Sequence, residues 1–457
     1  MHPHPAPPEP ASPDPASPGP ASPSPPLLQG LPERLLLPAL RVSAALAAVG
    51  GQTYLVGGAV RDLLLQNTVS DADLEVHGLE PAAVEAALAP LGHCKAVGRS
   101  FGVFKLRIGG ETLDIALPRA ERPAAAGGTA AVGGQVVGVQ VVGDPWIGIE
   151  AALRRRDLTI NAMAIALPSG ALCDPTGGRA DLVAGLLSPA DAGGFGDDPL
   201  RVLRAARFGA RFGFAASPDL EAVAAHIPLE GLPPARVWGE LRQILLGPRP
   251  ALGLGLLAQL GAMDCALPAL ACAPRPALLQ TAARLPEALA AVSGEGEALS
   301  VALAALHPAG DTAAAAATLD HLELHAWAGV PLRAQVMAAV ALLGAPPEAW
   351  APAALDTTLR RAAEGLSLRL ALLSAEAQTG ASFWSACRDR AQALGVLDAP
   401  LPPLLSGRAL VKLGVAPGPP LGRALADLRE AQLQGAIATE AEARAWFAAN
   451  RPAPPPG

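Results

Sequence analysis

Short apolar runs separated by turn residues fill the chain from about residue 53 to residue 118. Runs of this length bounded by glycine or polar residues predict β-strands, and a longer apolar stretch directly after a glycine turn predicts a helix. The predicted strands cover 54–56, 71–77, 101–108 and 112–117, and the predicted helix covers 59–65. The pattern predicts an α/β domain in this part of the chain.

Helical periodicity dominates from about residue 199 onward, where glycine and proline interrupt apolar positions three or four residues apart. The clearest predicted helices cover 220–225, 237–246, 332–343 and 359–375. Residues 119–147 are rich in Gly and Ala with little periodicity, which predicts a mobile loop or an irregular hairpin. We therefore expect an α+β protein whose last two-thirds are all-α.

Composition changes this picture mainly at the two ends. Residues 1–26 repeat Pro, Ala and Ser, and residues 451–457 are rich in proline, so both are predicted to be disordered tails. No stretch approaches the roughly 18–20 uninterrupted apolar residues of a membrane span, and no secretion signal is recognisable. These features predict a cytoplasmic protein without a membrane partner. The five scattered cysteines form no Cys-x-x-Cys pair and are predicted to be free thiols.

Two acids alternate with apolar residues in the predicted strand 71–77. Because strand side chains have a period of two, Asp71 and Asp73 are predicted to project from the same face. Adjacent carboxylates repel unless a cation lies between them, and Mg²⁺ is usually held by one or two carboxylates together with substrate phosphates. Asp114, on the polar face of the predicted strand 112–117, could complete a site for two metals. The alternative is an exposed edge strand whose acids simply face water.

A glycine turn lies about ten residues before these acids. Gly57 and Gly58 fall between a predicted strand and a predicted helix, where backbone N–H groups can hold phosphate, and Arg61 lies one turn into that helix. A Gly-Gly pair alone would be only a turn. Beside the two acids, it indicates a triphosphate next to a metal.

Arginines recur every three or four residues after Pro199, at Arg201, Arg204, Arg207 and Arg211. This spacing places four cations on one helical face. One interpretation is a solvated face on a helix well started by an aspartate and a proline. The other is an anionic partner, since no acid interrupts the stripe. The net charge of −7 disfavours indiscriminate nucleic-acid binding, so such a surface would have to be local.

Four ordered blocks resemble a known family. L-V-G-G-A-V-R-D at 55–62 with D-A-D at 71–73 is followed by R-R-D-L-T-I-N-A-M-A at 155–164, D-P-T-G-G at 174–178 and D-P-L-R-V-L-R-A-A-R-F at 198–208. They are similar to the tRNA nucleotidyltransferase and bacterial poly(A) polymerase family, class II within the DNA polymerase beta superfamily. A further likeness extends over residues 407–443.

The resemblance implies a DNA polymerase beta-like head at 27–187, a helical neck that recognises the nucleotide base at 188–270, and an RNA-binding helical body and tail at 271–450. It implies that Asp71 and Asp73 bind Mg²⁺ and act in catalysis with Asp114. It further implies a set of nucleotide-binding residues. These are Gly57, Gly58, Arg61, Arg155, Arg156, Asp157, Asp198, Arg201, Arg204 and Arg207.

Within the resemblance, Asp198 and Arg201 would act as a protein template for the base. Cytosine and adenine each present an amino donor beside a ring-nitrogen acceptor, which matches a carboxylate beside a guanidinium, whereas uracil and guanine present the reverse polarity. The predicted function is addition of C and A to the 3′ end of tRNA from CTP and ATP. A CC-adding or A-adding specialist, a poly(A) polymerase and a catalytically inactive RNA-binding protein are the alternatives.

The chain departs from the family pattern at several places. Asp197 stands where the family usually has Glu and Gln66 where it usually has Gly, and neither change should abolish chemistry. Residues 119–145 lack most of the charges expected of the loop that helps to switch from C to A addition. The region of a His-Asp phosphohydrolase site is degenerate, because proline follows His307 where a metal-binding aspartate would stand.

Overall fold

The computed structural model describes residues 27–97, 102–123, 139–365 and 367–450. The predicted tails, Phe101 and most of the predicted loop 119–147 lie outside these residues. The chain divides into two units, the first ending at Val183 and the second beginning at Ala184. In the described ranges, no helix is long and apolar enough to cross a membrane.

The first unit is built on a mixed sheet. Its strands are β1 Gln52–Val56, β2 Asp73–His77, β3 His93–Val97, β4 Val103–Ile108, β5 Glu111–Ala116, β6 Arg119–Pro123, β7 Val139–Gly143, β8 Ala164–Leu167 and β9 Leu172–Cys173. Seven of them form one sheet in the order β3-β4-β5-β2-β1-β8-β9, and β6 pairs with β7 separately. Within the large sheet β2 and β5 run parallel, and the other paired neighbours run antiparallel.

Five helices accompany the sheet, the last of them reaching the first residue of the second unit. They are α1 Glu33–Ala47, α2 Gly58–Leu64, α3 Pro81–Leu88, α4 Ile149–Arg154 and α5 Gly178–Ala184, with 3-10 helices at Leu28–Gly30, Ala89–Leu91 and Thr159–Asn161. Alternating strand residues such as Leu55, Leu74 and Ile115 are almost completely buried. Their apolar side chains form the core that fixes which face of β2 is left for polar residues.

The second unit is helical apart from a parallel pair of two-residue strands, β10 Leu186–Leu187 and β11 Ala215–Ala216. Its helices are α6 Leu200–Phe212, α7 Pro218–Ala224, α8 Pro234–Leu245, α9 Pro250–Gln259, α10 Met263–Ala266, α11 Arg275–Leu289, α12 Glu295–Leu306, α13 Thr312–His321, α14 Leu332–Leu343, α15 Leu355–Ala362, α16 Leu368–Thr379, α17 Ala381–Ala393, α18 Gly407–Lys412, α19 Pro419–Leu433 and α20 Glu440–Asn450. Short 3-10 helices lie at Phe195–Asp197, Pro268–Leu270 and Pro347–Trp350.

Helix α6 packs against α8 and α9. Two glycines allow this close approach. A Cβ on Gly209 would lie 2.0 Å from Leu256 Cδ1, and a Cβ on Gly253 would lie 2.5 Å from Ile244 Cγ2. The packing buries the apolar side of α6 and leaves its arginines near the edges of the helix contacts.

Two predicted elements were wrong in their extent. The strand predicted at 71–77 begins at Asp73, so Asp71 precedes the ladder. The single helix predicted at 359–375 is two helices, α15 and α16, which are separated by a turn at Glu364 and Gly365. Glycine weakens a helix because it gains backbone freedom when the helix unwinds, and this explains the break. The helix predicted at 332–343 has the predicted bounds.

Candidate active site

The two predicted metal carboxylates lie at the start of β2. Asp73 is the first residue of the strand, opposite Val56 of β1 on one side and Asp114 of β5 on the other. Asp71 and Asp73 are exposed, whereas Ala72 and Leu74 are buried. The alternation therefore continues through Asp71 although the strand does not. Ser70 Oγ donates a hydrogen bond of 2.9 Å to Asp71 Oδ2.

Electrostatic crowding is strongest at Asp73. Partial removal from water raises the pKa of its carboxyl, and the negative charges of Asp114 and Asp71 raise it further, while Arg156 and Lys105 act in the opposite direction. Neighbouring carboxylates that raise one another's pKa are stabilised by a cation placed among them. The donor chemistry at this edge of the sheet therefore fits a divalent metal.

Asp114 has a partner of its own. Lys105 Nζ, from the neighbouring strand β4, lies 3.0 Å from both carboxylate oxygens of Asp114. Among the described residues, no group of three or more His, Cys, Asp or Glu side chains is arranged to hold a metal ion. The site therefore offers a small number of protein ligands, the set that Mg²⁺ uses when phosphate oxygens and water supply the rest.

The glycine turn adjoins two guanidinium groups. Gly57 has φ +67°, which favours glycine, and α2 starts at the next residue. A Cβ on Gly57 would lie 3.0 Å from Arg156 Nη1, and one on Gly58 would lie 3.4 Å from Arg61 Nη2. Helix α2 is only seven residues long, so arginine charge supplies more of the attraction for an anion here than the helix dipole does.

Arg61 is held within the protein. Its side chain is almost fully buried, with Nη1 donating to Asn161 Oδ1 at 2.6 Å and Nε donating to Asp62 Oδ1 at 3.1 Å. Asn161 Nδ2 in turn donates to Asp157 Oδ1 at 3.0 Å. The predicted nucleotide residues Arg61 and Asp157 thus share one buried network that includes Asn161.

Arg156 belongs to a second network, which sequence reasoning missed. Arg156 Nη2 donates to Glu75 Oε2 at 3.0 Å, and Glu75 Oε1 lies 3.0 Å from His77 Nε2. Burial acts to raise the pKa of Glu75, but the hydrogen bond from His77 and the charge of Arg156 outweigh it, so the pKa is lowered. Glu75 and His77 follow Asp71 and Asp73 on the same period-two face, and that spacing could have revealed them.

In the second unit, Asp198 lies just before α6. Its Oδ1 accepts a hydrogen bond of 3.2 Å from the N–H of Leu200, and its Oδ2 accepts one of 2.8 Å from Arg236 Nη2 of α8. Arg201 Nη1 donates to the carbonyl oxygen of Gly194 at 2.7 Å. Arg236 was not predicted, because it lies 38 residues beyond Asp198 and nothing in its local sequence marks it.

The remaining arginines of α6 differ in their surroundings. Arg207 Nε donates to the buried Glu240 of α8 at 2.5 Å, and its guanidinium carbon lies 4.2 Å from the centre of the Phe208 ring. Arg204 is more exposed and lies 4.0 Å from the same carboxylate. Arg207 and Arg211 also line an open cavity of about 480 Å³ with Arg242 and Glu295. The positive charge of the α6 arginines is thus partly neutralised by Glu240 of α8.

The degenerate His-Asp region is packed as ordinary core. His307 is fully buried, with Nδ1 2.6 Å from the Leu303 carbonyl oxygen and Nε2 2.9 Å from Thr318 Oγ1. Asp311 accepts a hydrogen bond from the N–H of Ala314 and so caps α13. Both ring nitrogens and the nearby acid are therefore used to hold the fold.

A mixed sheet that presents acids at the start of β2, beside a glycine turn and two arginines, defines a nucleotidyltransferase head of the DNA polymerase beta type. Residues 53–188 match the family described as "Poly A polymerase head domain", and residues 220–273 match "Probable RNA and SrmB- binding site of polymerase A". The resemblance to the tRNA nucleotidyltransferase and poly(A) polymerase family is therefore confirmed over these two matched segments.

Curated relatives match part of the chain. The Multifunctional CCA protein of Stenotrophomonas maltophilia is 42% identical over 224 residues, covering 48% of this chain and 51% of that protein. The protein of the same name from Xylella fastidiosa is 41% identical over 229 residues, covering 48% and 50%. The chain thus spans about half the length of the curated relatives it matches.

Solved structures match over more of their length. The Bacillus stearothermophilus CCA-adding enzyme in complex with CTP has a TM-score of 0.66 at 26% identity, covering 92% of this chain and 98% of that one. The Thermotoga maritima CCA-adding enzyme complexed with tRNA has a TM-score of 0.67 at 24% identity, covering 93% and 97%, and supports the fold alone. The predicted fold class, a polymerase beta-like head followed by an all-α region, is confirmed.

Proposed function

We propose that the protein is a template-independent nucleotidyltransferase that adds C and A residues to the 3′ end of tRNA, with CTP and ATP as substrates. The observation that carries the proposal is the convergence, within a matched head domain, of Asp71 and Asp73 with the Gly57 turn and the guanidinium groups beside it. Relatives that carry the CCA name support tRNA as the acceptor.

Asp71 and Asp73 are the residues that would hold Mg²⁺, with Asp114 as a further candidate once Lys105 releases it. A bound metal would lower the pKa of the RNA 3′ hydroxyl and offset charge on the departing pyrophosphate. The hydroxyl gives up its proton to solvent water and its oxygen attacks the α-phosphorus. The bond from that phosphorus to the bridging oxygen breaks, pyrophosphate leaves, and no covalent enzyme intermediate is needed. Arg61 and Arg156 hold the triphosphate, and their buried partners fix them before the substrate arrives.

Base choice is assigned to Asp198 and Arg201. The Asp198 carboxylate accepts from the exocyclic amine of cytosine or adenine, and Arg201 donates to the adjacent ring nitrogen. Arg236, which bonds to Asp198 Oδ2, would orient that carboxylate. We place the head at 27–187, the neck at 188–270, and the RNA-binding body and tail at 271–450. Action on tRNA would place the protein in the cytoplasm.

A CC-adding specialist is the second candidate. The observation in its favour is the near absence of charged residues between Glu121 and Asp144, apart from Arg122. The body is proposed not to hydrolyse phosphoesters, since His307 is enclosed by Leu303 and Thr318.

The proposal is tested by transfer of labelled CMP from CTP to tRNA that lacks its 3′ CCA, with Mg²⁺ present or chelated. We expect transfer that requires both tRNA and Mg²⁺ and that is lost in Asp73→Asn. Binding of tRNA without any transfer under these conditions would instead indicate an inactive RNA-binding protein.

A further inference from the structure

We propose that Glu75 is a positioning residue that holds Arg156 against the Gly57 turn, so that Arg156 is oriented to bind the triphosphate. The inference rests on the proposed function, because it assigns a partner to the phosphate-binding part of that site. Glu75 acts through Arg156 and touches neither substrate nor metal.

Glu75 is the third acid, after Asp71 and Asp73, on this period-two face. Only 8% of its surface is exposed, whereas Asp71 and Asp73 are open to solvent. Both carboxylate oxygens are used, one by His77 and the other by Arg156. A carboxylate that is bound on both sides has a fixed direction, so the guanidinium that it contacts is fixed as well.

Glu75 is itself held in place by His77. His77 Nδ1 lies 2.8 Å from the carbonyl oxygen of Ile147, and its ring meets that of Tyr54 edge to face at 5.3 Å. Ile147 lies just before α4 and Arg156 just after it. Hydrogen bonds thus link the residues just before and just after this short helix to β2. They fix the position of the segment that carries Arg156 relative to the sheet.

The two amino groups of Arg156 face different neighbours. Its Nη2 faces Glu75, while its Nη1 is 3.0 Å from the position that a Cβ on Gly57 would occupy. A quarter of its side chain is exposed, and its charge reaches Asp73. The guanidinium thus lies among Glu75, the Gly57 turn and the carboxylate edge, with one amino group facing the turn. A glycine at 57 is required both by its positive φ and by this close approach.

Glu75 therefore orients Arg156 before a substrate arrives. An arginine that is oriented before the substrate binds loses less side-chain freedom when it meets a phosphate. Removal of the orienting carboxylate should therefore weaken binding of the triphosphate and of pyrophosphate while leaving the RNA contacts intact.

The test uses Glu75→Gln, which keeps the shape of the side chain but removes its charge, together with Arg156→Ala and the double variant. Glu376→Gln, which removes the partly buried acid partner of Arg388 in the second unit, is the matched control. The readouts are kcat and KM for CTP, the inhibition constant of inorganic pyrophosphate, the dissociation constant of tRNA, and the thermal midpoint.

For Glu75→Gln we expect KM for CTP and the pyrophosphate inhibition constant to rise roughly tenfold or more, the range of one charge-assisted hydrogen bond, with a smaller change in kcat. The affinity for tRNA should be unchanged. The double variant should be no worse than Arg156→Ala, since Glu75 acts through Arg156. Glu376→Gln should leave KM for CTP and the pyrophosphate inhibition constant as in the wild type.

Multiplying effects in the double variant, or an unchanged pyrophosphate constant in Glu75→Gln with only a lower thermal midpoint, would overturn the proposal. If Glu75→Gln does not fold, Glu75→Asp keeps the charge and shortens the side chain, and it should also weaken pyrophosphate inhibition. If the wild type transfers no nucleotide, the proposed function fails, while calorimetric binding of pyrophosphate to the same variants still decides the role of Glu75.

Discussion

The arginines beside the Gly57 turn and the arginines of α6 form two cationic regions. They differ in what their hydrogen-bond partners do with the guanidinium groups. At the turn, Glu75 and Asn161 hold Arg156 and Arg61, whose guanidinium groups adjoin the two glycines. On α6, Glu240 neutralises Arg207, which also lies over the Phe208 ring. The spacing of arginines along the sequence therefore does not reveal their role. An acid from another strand or helix decides whether a guanidinium is directed towards the site or is paired within the helix packing.

The largest effect is expected at the carboxylate edge. Asp73→Ala or Asp71→Ala should abolish nucleotide transfer, a loss of at least about a hundredfold, because stabilisation by a bound metal contributes several kcal/mol. The dissociation constant of tRNA should change little, since these acids act on the reacting phosphate. Single-turnover transfer and filter binding measure the two quantities. Wild-type turnover in either variant would show that the metal lies elsewhere.

Base selectivity is the next largest effect. Asp198→Ala removes the acceptor for the exocyclic amine, so discrimination against UTP and GTP should fall by roughly ten- to a hundredfold, more than the rate of CTP addition does. Arg236→Ala should change selectivity in the same direction but less, because it only orients Asp198. Incorporation of all four nucleotides is the measurement. Unchanged preference for C and A in Asp198→Ala would leave Asp198 as a helix cap only.

A stability difference between two α6 arginines sharpens the comparison further. Arg207→Ala leaves the buried Glu240 without its close guanidinium partner and should lower the free energy of unfolding by about 3 kcal/mol. Arg204→Ala removes a more exposed group at 4.0 Å from that carboxylate and should cost under about 1 kcal/mol. Denaturant unfolding measures both. A larger loss in Arg204→Ala would contradict the assignment of Arg207 as the structural member.

The smallest expected effect concerns the degenerate His-Asp region. The protein should show no phosphatase or phosphodiesterase activity with added nickel, manganese or magnesium, because both nitrogens of His307 are engaged within the core. Hydrolysis of a phosphodiester substrate is the assay, and His307→Ala is the comparison. Metal-stimulated hydrolysis that disappears in this variant would reverse the interpretation.

Local pattern predicted much of the head. A period of two placed Asp71 and Asp73 on one side of β2, and the exposed and buried residues alternate accordingly, although pairing with β1 starts only at Asp73. Helix α1 was not predicted, since Pro38 interrupts its pattern and its apolar face is defined by packing on the sheet. The periodicity also failed to predict the end of a helix near Gly365, because apolar residues continue at helical spacing through the turn between α15 and α16.

The supporting contacts of the site were beyond prediction for a different reason. Arg156 lies 81 residues from Glu75, and Arg207 lies 33 residues from Glu240, so each pairing exists only after strands and helices have packed. The same holds for Arg236 and Asp198. Sequence spacing indicated which residues could carry charge to the site, whereas tertiary packing determined which acid each cation meets.

The most direct test of the account is to sequence the 3′ ends formed on tRNAs that end before the first C, after CC and after the complete CCA, with CTP and ATP supplied separately and together. The account predicts that CTP alone extends the first tRNA by two residues, that ATP alone completes the second by one A, and that the complete tRNA is not extended. Long runs of A on any of the three, or no extension of the first two, would contradict it.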